Sequence, residues 1–239
     1  MAVGFYATKA RTMRLPHPAI SLSVFLVVEN GIRAAWEMMR NSPRPGFDLL
    51  TAVENSVTQE LYKCLYDEVF NRSVVEGFDR ELLTTITRDA KIENYDGTNI
   101  EKMPDLLFGF ADRPDVFRHT QDWLFVECKP VDSTHSAGVH YCGKGIIRFV
   151  RGEYAWAMTS ALMVGYARTG YTILPKLREA LQASSIIDTL EHPYKCRSSK
   201  FGPSSEVVHI SKHARTFSYL ETKTRAKAII IRHLWLRRD

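Results

Sequence analysis

One short apolar segment that ends in a glutamate and a lysine constrains this chain most strongly. It reads Leu124-Phe-Val-Glu127-Cys-Lys129 and carries no polar side chain before Glu127. Side chains alternate along a β-strand, so Glu127 and Lys129 lie on one face while Val126 and Cys128 lie on the other. The segment therefore predicts a strand that packs through one face and presents two charged groups together on the opposite face.

A second apolar segment, residues 106–110, begins directly after Met103-Pro104-Asp105 and is also predicted to be a strand. If the two strands are neighbours, the carboxylates of Asp105 and Glu127 converge on one point. Two converging carboxylates repel each other unless a cation lies between them, and hard oxygen ligands favour Mg²⁺ or Mn²⁺. Lys129 is then placed to position or deprotonate an attacking water, or to stabilise charge in the transition state.

The rest of the chain predicts an α/β fold with a mixed sheet. A chain of 239 residues can bury one sizeable core. The apolar run at 19–28 is too short to cross a bilayer and predicts a buried N-terminal helix. Helices are predicted at 47–70, 141–151, 152–161 and 174–183, and strands at 106–110, 123–126, 162–167, 206–215 and 226–236, the last two forming an antiparallel pair.

With these motifs the chain resembles the PD-(D/E)XK nuclease superfamily, which includes restriction endonucleases. The resemblance implies a restriction-endonuclease-like core of helix, three strands, helix and strand at 47–167, within a single nuclease domain spanning 1–239. Residues 1–45 would then be a helical extension, and 168–239 a helix followed by a C-terminal β-hairpin. It also implies that Asp105, Glu127 and the Cys128 carbonyl hold the metal, and that Lys129 is catalytic.

The superfamily often adds a glutamate from its first core helix, and Glu54 is the candidate for that catalytic and metal-binding position. The same residue completes a capping box with Thr51, which is an equally simple explanation of the pattern. Glu60, on the other border of the apolar stripe, is the reserve candidate. The sequence leaves the choice open.

Basic residues predict a nucleic-acid-binding surface. The formal charge is +5 and the isoelectric point about 9.0, which suits a polyanionic partner. Lys144, Arg148 and Arg151 are spaced i, i+4, i+7 and would form one stripe on a helix, although a solvated helix face explains them as well. The stripe of Lys144, Arg148 and Arg151 is expected to lie close to the Lys129 end of the sheet and to contact phosphates there.

A polar strand near the C-terminus is a further candidate surface. As a strand, its residues His209, Ser211, His213 and Arg215 would share one face. His213 and Arg215 are predicted to contact nucleic acid there, and His213 could assist proton transfer near neutral pH. An exposed polar face without function is the alternative.

Together these features predict a Mg²⁺-dependent phosphodiesterase that cuts DNA in preference to RNA, with Mn²⁺ able to substitute. The resemblance suggests a role in restriction or phage defence, where a homodimer or a partner protein is also conceivable. The alternatives are an inactive nucleic-acid-binding module of the same fold and an RNA-cleaving effector.

The four cysteines form no C-x-x-C pair and favour a reducing, cytoplasmic setting. Zinc is not predicted, because the spacing of four candidate ligands matches no structural zinc site: His140, Cys142, His192 and Cys196.

Overall fold

Seven strands form one mixed sheet in the computed structural model, which describes residues 15–113, 119–196 and 207–239. The strands are β1 (Leu83–Arg88), β2 (Leu106–Phe110), β3 (Leu124–Val131), β4 (Ser160–Ala167), β5 (Thr189–Lys195), β6 (His209–His213) and β7 (Ile229–Arg237). Their order across the sheet is β1-β2-β3-β4-β7-β6-β5. The central strands β3, β4 and β7 are parallel, and the pairs on either side of them are antiparallel.

The helices are interleaved with the strands along the chain. They are α1 (Leu22–Asn41), α2 (Glu54–Lys63), α3 (Ile147–Val150) and α4 (Ile173–Gln182). A π-helical segment, Cys64–Phe70, continues α2, and another, Ala137–Ile146, leads into α3. A short 3₁₀ turn, His119–Gln121, precedes β3.

Helices cover the sheet through large aromatic contacts. Trp36 of α1 stacks on Tyr166 of β4 with 5.3 Å between ring centroids, and Thr58 of α2 is hydrogen-bonded to the Tyr166 hydroxyl. Neighbouring residues of a strand face opposite sides. The opposite side of β4 accordingly meets the helix that leads into α3, where the Tyr141 hydroxyl donates to the Met163 carbonyl. Tyr166, Trp36 and Tyr141 are fully buried.

Helix α1 is joined to β7 by polar contacts as well as by packing. The Trp36 indole N–H donates to the Arg237 carbonyl at 2.8 Å, and Arg232 forms a buried ion pair with Glu29. Ser21 caps the helix by accepting from the Val24 N–H. The predicted N-terminal helix is thus present, and no helix in the described part of the chain is long and apolar enough to span a membrane.

The mixed α/β prediction is confirmed, together with β2, β3, most of β4, helix α4 and the antiparallel pairing of β6 with β7. Three predictions are wrong. Residues 152–159 form turns rather than a helix, with positive φ at Gly152 and Ala155. Helix α2 begins at Glu54 rather than at residue 47. The third is the count of sheet strands, because β1 and β5 were not predicted, whereas the predicted C-terminal strand pair is present as β6 and β7 and joins the sheet through β4.

Candidate active site

Four oxygen atoms surround the ammonium group of Lys129 at the end of β3. Its Nζ lies 2.6 Å from Glu54 Oε1, 2.9 Å from Glu127 Oε1 and 3.8 Å from Asp105 Oδ2. It also donates to the Cys128 carbonyl at 2.9 Å. The structure therefore brings together Glu54, Asp105, Glu127, Cys128 and Lys129, all five residues that the sequence proposed for the catalytic and metal site.

The strand register explains why Asp105 meets Glu127. Strands β2 and β3 are antiparallel, and Leu106 is opposite Val126. Asp105, one residue before Leu106, therefore lies beside Glu127, one residue after Val126. Asp105 Oδ2 also accepts the Cys128 N–H at 2.7 Å. Burial raises the pKa of Asp105, while Lys129 opposes that rise.

Glu127 is the most deeply buried of the three carboxylates, with 1% of its side chain exposed. Tyr154 donates a hydrogen bond to its Oε2, and an Arg148 guanidinium nitrogen lies 3.4 Å from its Oε1. Burial raises the pKa of Glu127 to about 7, and the nearby charge of Asp105 adds to the rise. The carboxylate thus holds its proton more tightly than an ordinary glutamate, and neighbouring cations favour the ionised form.

The charge on Lys129 is stabilised by its neighbours. Burial alone would lower its pKa, but the surrounding carboxylates outweigh burial and raise the pKa above the usual value for lysine. The side chain therefore stays protonated at neutral pH. It can donate hydrogen bonds to an anionic group but cannot act as a base in this arrangement.

Glu54 is the first residue of α2, and its side chain reaches Lys129 rather than capping the helix. The capping box is absent, because Val53 occupies the cap position and the Thr51 hydroxyl donates to Asp48. The reserve candidate Glu60 is buried and forms an ion pair with Arg44 at 3.0 Å. Among the two glutamates, only Glu54 contacts Lys129.

The oxygen atoms at this site are of the kind that a hard divalent cation prefers. In residues 15–113, 119–196 and 207–239, no three His, Cys, Asp or Glu side chains are arranged to hold a metal ion by themselves. The acidic side chains contact Lys129 instead. Glu127 Oε1 is buried, and its neighbours are the cations of Lys129 at 2.9 Å and Arg148 at 3.4 Å. Two carboxylates beside the main-chain carbonyl of Cys128 are a donor set that suits Mg²⁺ or Mn²⁺ in kind.

The predicted basic stripe divides into two parts. Arg148 is half-buried and points to Glu127, which raises the pKa of its guanidinium despite an opposing effect of burial. Lys144 and Arg151 are exposed. Gly145, the neighbour of Lys144, lies against the Lys129 side chain. Arg148 therefore contacts the carboxylate–lysine cluster, the exposed Lys144 is one residue from Gly145 beside it, and Arg151 contacts none of its residues.

The prediction that His213 and Arg215 contact nucleic acid is wrong for the structure described, because both side chains are buried. Ser211 is hydrogen-bonded to His213 and to His233, at 2.7 Å in each case. Burial lowers the pKa of His213 to about 3, so the imidazole is neutral at pH 7 and not suited to proton transfer there. Arg215 donates to the carbonyl groups of Ala155 and Trp156.

Tyr154 is a site residue that the sequence did not indicate. It lies in the turns that were predicted to be helical, and its ring is sandwiched between Phe125 and Phe149 at 6.3 and 5.0 Å between centroids. No motif marks a tyrosine so placed, because its contact with Glu127 depends on the path of the turns. A comparison with protein-family models, curated proteins and solved structures found no match for this chain.

Proposed function

We propose that this chain is a metal-dependent nuclease that hydrolyses phosphodiester bonds, with DNA as the preferred substrate. One observation carries the proposal, namely the convergence of Asp105, Glu127 and Lys129 where β2 begins beside the paired strand β3. The order of α2, three antiparallel strands, the α3 helix and β4 is consistent with a restriction-endonuclease-like core. The resemblance of these motifs to the PD-(D/E)XK superfamily adds to that support.

In this proposal Asp105, Glu127 and the Cys128 carbonyl hold Mg²⁺, with Glu54 beside them. The bound ion supplies positive charge that activates water and neutralises the phosphate. Lys129 donates hydrogen bonds to the attacking water or to a phosphate oxygen once the substrate enters. Its present carboxylate partners keep it charged and fixed in direction.

The other residues position these groups. Tyr154 and Arg148 hold the two oxygens of Glu127, and the Cys128 N–H holds Asp105. Such neighbours limit the motion of a ligand carboxylate and favour its ionised form. The exposed amine of Lys144 can contact the phosphate backbone beside the site without reading bases.

The test compares supercoiled plasmid and single-stranded RNA as substrates in Mg²⁺, Mn²⁺ or EDTA. We expect metal-dependent nicking or linearisation of plasmid, and its loss in the variants Asp105→Asn and Glu127→Gln. Glu60→Gln is the matched control, since this buried carboxylate pairs with Arg44 and not with Lys129. Cleavage that persists in both site variants would contradict the assignment, and cleavage of RNA alone would support the RNA-cleaving effector.

A second function, a nucleic-acid-binding module without catalysis, is favoured by one observation. Lys129 itself neutralises the carboxylates, and no three-ligand metal group is present in the described ranges. Titration of the full chain with Mg²⁺ and Mn²⁺ in a calorimeter separates the two functions. Uptake that is lost in Glu127→Gln supports the nuclease, whereas DNA binding without any metal uptake supports the module.

A further inference from the structure

A cavity of about 490 Å³ lies between the connection from α4 to β5 and the segment that follows β6. This volume is within the range of small-molecule pockets, roughly 300–1,000 Å³. Its walls include Ser184, Thr189, His192, Arg215 and Arg225. The residues of the carboxylate–lysine cluster are not part of these walls, so the cavity is separate from the candidate active site.

Arg215 forms part of the wall and is buried without a carboxylate partner. Only 1% of its surface is exposed, and two of its nitrogens donate to main-chain carbonyls at 2.7 and 2.8 Å. The Tyr219 hydroxyl also lies beside the guanidinium and favours its charged form. The ion pairs of the described residues join no acidic side chain to Arg215, whose Nε makes no hydrogen bond of its own. In contrast, the buried Arg232 pairs with Glu29, and the partly buried Arg113 pairs with Asp122.

A buried cation of this kind is costly unless an anion compensates it. The cost is visible in the guanidinium itself, since burial lowers the pKa of Arg215 to about 10. The Phe217 ring lies 5.4 Å from the guanidinium carbon and offsets part of that cost. An anion in the cavity would compensate part of the remaining charge.

The rest of the lining indicates the class of anion. Arg225 is exposed and adds a second guanidinium, while Asp188 is the one acidic residue in the wall and is also exposed. Hydroxyl groups of Ser184 and Ser185 can donate to phosphate oxygens. Ile186, with 51% of its surface exposed, offers apolar contact for a ring or chain attached to the phosphate.

We propose that this cavity binds the phosphate group of a small phosphorylated molecule of nucleotide size. Arg215 supplies buried positive charge, Arg225 supplies a direct guanidinium contact, and Ile186 packs against the attached group. The proposal does not depend on phosphodiester hydrolysis, because no residue of the candidate active site lines the cavity.

The test is calorimetry on the full chain in EDTA, with AMP, inorganic phosphate and adenosine as separate probes. We expect AMP to bind more tightly than phosphate or adenosine, and Arg225→Ala to weaken AMP binding by at least about tenfold. Arg72→Ala is the matched control, since Arg72 is also exposed and pairs only with Glu68. Its affinity for AMP should equal that of the wild type.

Hydrogen–deuterium exchange locates the bound ligand without any substitution. AMP should slow exchange in residues 184–189 and 214–216. Equal affinity of the wild type and Arg225→Ala, or protection confined to other segments, would overturn the proposal. So would the absence of AMP binding. If inorganic phosphate binds as tightly as AMP, the cavity does not recognise the group attached to the phosphate. If adenosine binds as tightly as AMP, the cavity does not recognise the phosphate. Either result would overturn the proposal.

Discussion

Glu127 is held by groups from three separate segments. Lys129 belongs to the same strand, Arg148 to α3, and Tyr154 to the turns that follow α3. Burial makes the charged form costly, and these donors offset the cost. The position of this one carboxylate therefore depends on the correct packing of both the sheet and the helix that covers it.

Replacing Tyr154 with phenylalanine removes one of these donors and keeps the ring. We expect the affinity for Mn²⁺ to fall by about 10–100-fold, as is common when a group that orients a metal ligand is lost. Calorimetric titration measures the change, and plasmid cleavage should fall with it. Tyr62→Phe is the control, since Tyr62 of α2 is partly buried against Tyr66 and makes no contact with Glu127. Unchanged Mn²⁺ affinity in Tyr154→Phe would show that the hydrogen bond does not position the carboxylate.

Lys129→Ala tests the ammonium group itself. We expect cleavage of plasmid to fall by orders of magnitude, because the variant loses the donor that stabilises negative charge in the transition state. DNA binding should change little, since Lys144 and Arg148 remain. Gel-shift and cleavage assays on the same preparation separate the two effects. Strong residual cleavage would move the active site elsewhere in the chain.

The close approach of the Trp235 side chain of β7 to strand β4 depends on Gly165 in β4. A Cβ atom added there would lie 2.4 Å from the Trp235 ring of β7, which is far inside contact distance. Trp235 is itself buried and packs edge-on against Tyr141 at 5.4 Å. The indole therefore has little freedom to move away.

We expect Gly165→Ala to lower the free energy of unfolding by about 1–3 kcal/mol, as overpacking in a core does. Urea unfolding followed by tryptophan fluorescence measures the loss. Gly138→Ala is the matched control, because its added methyl would meet only Ala180 at 3.9 Å in ordinary contact. Helix propensity should make that variant as stable as the wild type or slightly more stable. A neutral Gly165→Ala would show that β4 and β7 can separate locally.

The elements that could be predicted from the sequence are those with a continuous apolar pattern. Strands β2, β3 and β4 are almost fully buried and read as apolar runs. The edge strands β1 and β5 were missed, since their residues are largely polar and exposed and tertiary pairing alone makes them strands.

The candidate site was predictable to the same extent. Asp105, Glu127 and Lys129 could be predicted, because their relative positions depend on the local geometry of two strands, which the folded chain retains. The role of Tyr154 and the burial of His213 could not be predicted in this way, because both depend on how segments that are distant in the sequence pack together. The stretch 152–161 contains three alanines, which favour a helix, but positive φ at Ala155 ends any helix there.

A chain of polar side chains, most of them buried, crosses the three strands β5, β6 and β7 at one side of the sheet. Thr189 of β5 is hydrogen-bonded to His213, which continues through Ser211 to His233 and then to Tyr141. Burial lowers the pKa of both imidazoles below the ordinary value of 6.5. Both are therefore neutral in the folded chain at pH 7, and each carries hydrogen bonds that suit the neutral form.

Acid should destabilise the fold through these histidines. The pKa of His213 is about 3 in the folded state against 6.5 for the ordinary group, so the unfolded chain binds more protons between these values. Stability is complete above pH 6.5 and falls as the pH drops toward 3. At one pH unit below 6.5, His213 alone should cost about 1.4 kcal/mol.

Urea unfolding at pH 7.5 and 5.5 checks this expectation. His213→Gln should reduce the difference between the two pH values by about the same 1.4 kcal/mol. His192→Gln, which alters an exposed imidazole, should leave most of the difference in place. An unchanged pH dependence in His213→Gln would mean that other groups cause the acid sensitivity.

The position of β7 has a consequence for how the chain matures during synthesis. This strand is the last of the seven to leave the ribosome, yet it lies inside the sheet, with β4 on one side and β6 on the other. It also carries Arg232, the partner of Glu29 in the first helix. Until residues 229–237 emerge, β4 is paired with β3 alone and Glu29 of α1 lacks its partner Arg232. The nascent chain therefore exposes the unpaired edge of β4, which can pair with strands of other chains. Pairing of β7 with β4 is a late, long-range folding step.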